Sequence, residues 1–142
     1  MTKKMRTDLD IASKRLNQKS LSLVVVKNGK VLFETESHGL NDLVEAINQL
    51  QSNMKESSVA DRIVGRAAAL LFVYSGVSAI FAATISDGGM EILDNSSVFH
   101  EFEKRVPRIL NFKKTDVCPF EKLVAKLSSP EEAYERLKAR CA

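Results

Sequence analysis

The stretch Asp116-Val117-Cys118-Pro119-Phe120-Glu121 brings a thiol and two carboxylates together around a proline placed where a helix would begin. Proline is favoured at the first helical position, because its missing N–H would have had no partner there and its φ is already helical. Cys118 then falls at the N-cap, where unpaired amides and the positive end of the helix dipole stabilise a thiolate or hold an anion. Arg108, Lys113 and Lys114 would add positive potential if the preceding loop folds back. As chemistry, this makes Cys118 a nucleophile or ligand contact. As packing, Cys118 is a small half-buried residue, Asp116 starts the turn and Glu121 closes a capping arrangement.

A second set lies upstream. Ser57 or Ser58 reads as the cap of a helix running to about residue 74, with Asp61, Arg62 and Arg66 in its first turns. Those three side chains either face a cleft and bind a substrate's polar groups, or are a capping aspartate with surface arginines. Gly65 favours the cleft, since glycine inside a good helix costs about 1 kcal/mol relative to alanine and signals close approach. His38, in a polar loop, is a base or merely solvated; His100, between Phe99 and Glu101, reads as structural. With two cysteines, two histidines and no ligand-like spacing between them, no metal motif is visible and no cofactor is called for.

The elements that must position these residues follow from periodicity. Residues 4–18 carry Met5, Leu9, Ile11, Ala12 and Leu16 at helical spacing. Leu21 to Val26 and Val31 to Phe33 flank Asn28-Gly29, the strongest short-range signal of a β-hairpin, because both turn positions need positive φ. Leu40, Leu43, Val44, Ile47, Leu50 and Met54 line one face of a second helix. After the third helix, the near-continuous apolar run Val77 to Ile85 predicts a strand covered on both faces. A short helix near residues 90–94, a strand near 98–102, a basic loop, a helix from Cys118-Pro119 and a last helix opened by Ser129-Pro130-Glu131-Glu132 complete the chain. The expected order is α, β-hairpin, α, α, β, α, β, α, α, with right-handed β-α-β crossovers.

The 142 residues suit one domain spanning the chain, and 44% hydrophobic with 27% charged residues excludes disorder and low complexity. The net charge of +3 is small and the basic residues alternate with acids, so nucleic acid is not an expected partner. The basic start, Met1 to Arg6, leads into Thr7-Asp8-Leu9-Asp10 rather than an apolar run, so no signal peptide is expected. No apolar stretch approaches the roughly 18 uninterrupted residues of a membrane span, and two cysteines make no disulfide framework. A cytoplasmic address is therefore expected.

Three segments, residues 22–30, Asp61-Arg62-Ile63-Val64-Gly65-Arg66-Ala67-Ala68-Ala69 and Asp116 to Lys122, resemble in order and spacing the family known as domain of unknown function 1893, over about Leu9 to Leu127. That family looks like a divergent branch of the cytidine-deaminase-like fold, so the resemblance implies an α/β protein built as a three-layer α/β/α sandwich, its N-terminal hairpin in a mixed sheet. Zinc deaminases hold their metal through a His-x-Glu signature and a Pro-Cys-x-x-Cys signature, the Glu moving protons for the bound water. Here Val64-Gly65-Arg66-Ala67 supplies neither ligand nor shuttle, and Glu121 replaces the second cysteine. What the resemblance leaves is a cleft between two helix starts, lined by Asp61, Arg62, Gly65, Arg66, Asp116, Cys118 and Glu121. It suits a metal-free domain that binds or senses an anionic or nucleotide-like small molecule. The alternative is a cysteine-dependent enzyme with Cys118 as thiolate and Asp61 or Glu121 as proton carrier. An assembly module pairing with a second copy is a further possibility.

Overall fold

The computed structural model describes residues 1–141. In chain order the elements are α1 (Lys3–Gln18), β1 (Leu23–Lys27), β2 (Lys30–Thr35), α2 (Leu40–Leu50), a 3-10 turn (Gln51–Met54) and β3 (Ser58–Val64). Then follow α3 (Arg66–Ser75), β4 (Ala79–Ser86), α4 (Asp87–Asp94), β5 (Phe99–Val106), α5 (Pro119–Val124) and α6 (Pro130–Cys141). The five strands form one mixed sheet in the order β2-β1-β3-β4-β5. β1 runs antiparallel to both β2 and β3, whereas β3, β4 and β5 are parallel and joined by α3 and α4.

The sheet is the middle of three layers. On one face α1 lays Ala12 and Leu16 against Val24, Val26 and Ala60. On the other, Leu23, Val25, Val59, Ile80 and Ala82 meet a layer drawn from the remaining helices. α3 is the centre of that layer. Ala67, Ala68 and Ala69 let its backbone approach its neighbours, and Leu70, Leu71 and Phe72 are fully buried, each worth about 1.5–3 kcal/mol of apolar transfer. From Ala67 to Phe72 the helix is apolar on every side and buried, which is why this part of it lies inside the layer.

The hairpin forms as expected, with Asn28 at φ 54° and Gly29 at φ 77°. A polar clamp, absent from the sequence expectation, fixes it to α1. The Asp8 carboxylate, 3% exposed, accepts the Asn28 and Gly29 amides at 3.0 and 2.9 Å. Thr2 caps α1 by accepting the Met5 amide, and Ser129 caps α6 by accepting the Glu132 amide.

One element differs from expectation. The segment expected to form a single helix over residues 57–74 is strand β3 followed by the shorter α3. Ser57 and Ser58 are buried and donate to the Met54 and Met5 carbonyls instead of capping amides. Val59, Ile63 and Val64 are β-branched, and a central position, hydrogen-bonded to β1 on one side and β4 on the other, outweighs the local helix signal. Asp61 and Arg62 are therefore strand residues, and Gly65 caps α3 rather than sitting inside it.

Asp8→Ala is expected to lower unfolding free energy by about 1–2 kcal/mol, since two turn amides lose a charged acceptor. Chemical denaturation of the two proteins decides it; a change within error would mean that water replaces the clamp without cost.

Candidate functional site

The site is built where β3 ends and α3 begins. Gly65 has extended backbone, φ −99° and ψ −169°, so its requirement is space, not a special dihedral. A Cβ there would lie 2.2 Å from Glu121 Oε1. The Glu121 carboxylate fills that space and accepts the Arg66 amide at 2.7 Å and the Ala67 amide at 2.8 Å. It thus supplies the capping acceptor that Gly65 lacks, and it places negative charge at the positive end of α3. Burial pushes the Glu121 carboxyl above its ordinary range, while the Ala67 and Arg66 amides and the Arg66 charge pull the other way.

Arg66 answers from the opposite direction. Its Nε donates to the Val124 and Leu127 carbonyls at 3.2 and 3.1 Å, and its Nη2 donates to Leu127 O at 2.7 Å. A guanidinium therefore satisfies carbonyls at the end of α5, while a carboxylate from the start of α5 satisfies amides at the start of α3. A looser ion pair to Glu91, at 3.4 Å, ties the same guanidinium to α4.

Of the residues singled out in the sequence, Gly65, Arg66 and Glu121 meet here. Cys118 is the N-cap of α5 ahead of Pro119, as its sequence indicates, with its backbone amide bonded to Ile109 O at 2.9 Å. Its side chain is half-buried, makes no capping hydrogen bond, and has no hydrogen-bonded base among the described residues. Asp116 is exposed, ion-paired to Lys122, and accepts the Val117 amide at 2.7 Å. The Lys122 hydrogen bond, with the Val117 amide and the Arg108 charge behind it, holds its carboxyl below the usual range. Asp116 thus shapes the turn before α5.

Asp61 and Arg62 diverge because they are neighbours on a strand, where successive side chains take opposite faces. The Arg62 guanidinium reaches under the end of α1, donating to Leu16 O and Leu21 O at 2.8 and 2.7 Å. Asp61 stands in register between Leu23 and Ala82, both buried, and accepts the Ile63 amide at 3.3 Å. Burial pushes its carboxyl up to about 7 against the opposing pull of the Ile63 and Arg62 amides and the Arg62 charge. No hydrogen bond or ion pair among the described residues joins Asp61 to Cys118, Arg66 or Glu121. His38 is exposed, and His100 bonds Val98 O and Asp94, linking β5 to α4.

Gly65 and Arg66 place no metal-ligating side chain at the start of α3, the Glu121 carboxylate accepts two amides, and among the described residues no three His, Cys, Asp or Glu converge.

The sheet, its two helical layers and the carboxylate seated on the start of α3 define an α/β/α sandwich with a mixed five-stranded sheet. The chain belongs to the domain of unknown function 1893 family, whose profile (TM1506) matches residues 11–140. The crystal structure of a family member from Thermotoga maritima, TM1506, is similar at 29% identity and a TM-score of 0.87, over 95% of this chain and 90% of that one. Two crystal forms of Acinetobacter baumannii RibD match 70% of this chain and 34% of theirs, at 17% and 18% identity and a TM-score of 0.49. No curated protein matches.

Two predictions follow from the geometry. Gly65→Ala expels the Glu121 carboxylate and costs about 2 kcal/mol, as Glu121→Ala does; the double variant costs little more than either, and additive losses in denaturation would refute the coupling. For Asp61, a folded pKa above the unfolded value means that the native state binds its proton more tightly. Its share of stability is full below about pH 4 and falls as pH rises toward 7. Asp61→Asn therefore flattens the melting temperature between those limits and raises it at pH 8; a wild-type slope retained in the variant would show that another group is responsible.

Proposed function

We propose that this protein is a metal-free binding or sensor domain whose anion site is the start of α3, with Glu121 standing in for the ligand. The observation that supports this is the pair of amides, Arg66 and Ala67, already turned onto two carboxylate oxygens. Backbone amides at a helix start, with a glycine beside them that leaves room, suit a phosphate or carboxylate as well as they suit a side chain. An incoming anion competes with Glu121, and displacing it frees the α5 segment on which Glu121 sits. Binding is thereby coupled to a movement of α5, which is what a sensor needs. The Glu121 carboxyl, raised by burial, is the group whose protonation would ease that exchange.

Inorganic phosphate, titrated calorimetrically against the wild type and Glu121→Ala, tests this. The variant is expected to bind it roughly 10-fold tighter, because its amides are free. Equal affinity, or none in either protein, would overturn the reading, as would one tightly held zinc per chain by metal analysis.

A further inference from the structure

At the far end of α3, about 15 Å from Glu121 at helical rise, lies a groove of about 750 Å³ between α2, α3 and α6. That volume falls within the range of small-molecule sites. Tyr74 from α3 and Tyr134 from α6 stack in it with ring centres 4.1 Å apart and planes at 8°. Tyr134 is the inner ring, 8% exposed, with its hydroxyl donating to Asn48 Oδ1 at 3.1 Å and the Lys138 ammonium 5.5 Å from its ring centre. Tyr74 is the outer ring, 37% exposed, and so offers aromatic surface to a third ring. Lys55 lines the groove as well, and neither it nor Lys138 is ion-paired among the described residues. Glu131 and Glu135 act on Tyr74 from α6 but do not line the groove. Asn48 and Gln51 add amide donors and acceptors at its α2 side.

We propose that this groove binds a planar aromatic molecule carrying an acidic group, a nucleoside monophosphate being the representative case. The ring stacks on Tyr74, because every base offers a π face to an exposed aromatic side chain. The acidic group lies between the Lys55 and Lys138 ammonium groups, and the Asn48 and Gln51 amides meet the polar edge of the ring. Neither the zinc-site pattern nor the start of α3 enters this assignment, so it stands apart from the site at Glu121.

The chain's two tyrosines are both in this groove, so tyrosine-labelled protein gives two ring spin systems in NMR, and both report on it. Adenosine monophosphate is expected to shift them saturably at concentrations up to about 5 mM, with adenosine alone and inorganic phosphate alone each binding at least about 10-fold more weakly. Lys138→Ala and Lys55→Ala, both at exposed positions, should each weaken the monophosphate about 5–10-fold while the ring signals still show a folded groove. No saturable shift would overturn the assignment. So would adenosine binding as tightly as its monophosphate, or lysine variants that bind like the wild type.

Discussion

The exchange between Glu121 and Arg66 fastens α5 to the start of α3. Each side chain leaves its own helix to satisfy backbone groups of the other: carboxylate to amides at the start of α3, guanidinium to carbonyls where α5 ends. Helix ends are where backbone groups lack partners, and a buried one left unmet costs about as much as a lost hydrogen bond. α5 has only six residues, too few to stand alone, and α3 begins with a glycine that has no side chain to cap it. Neither end is complete without the other.

That dependence explains how much of the site was legible beforehand. Pro119 marked the start of α5, Asn28-Gly29 the hairpin, and Ser129 the cap of α6, because each is a local rule in which a residue's own backbone preference decides the outcome. β3 was not legible. Its identity comes from β1 and β4 on either side, and residues 57–64 carry both serines fit for a helix cap and β-branched residues fit for a strand. The error displaced Asp61 and Arg62 from a shared helix face onto opposite faces of the sheet. Gly65, Arg66 and Glu121 still meet, because their placement depends on where α3 and α5 start. The Asp8 clamp and the Tyr74–Tyr134 stack join residues 20 and more positions apart, and no spacing rule announces such pairs.

The carboxylates show how position sets role. Asp8 and Glu121 each serve two amides, Asp116 pairs with an exposed lysine, and Asp61 has apolar neighbours in register on both sides. Only Asp61 is carried up to about neutrality. Fold membership in the domain of unknown function 1893 family accounts for the scaffold. The chemistry is set by which of these acids finds a partner.

Residues 107–127 contribute no strand to the five-stranded sheet; their one bridge, Leu110 to Val117, is internal to the segment. Side chains hold this stretch to the sandwich: Val124 is fully buried in the core, Glu121 accepts the α3 amides, and Arg66 donates to the Val124 and Leu127 carbonyls. Whatever opens this stretch must give up those contacts together, so its local stability is cooperative rather than a sum of independent bonds.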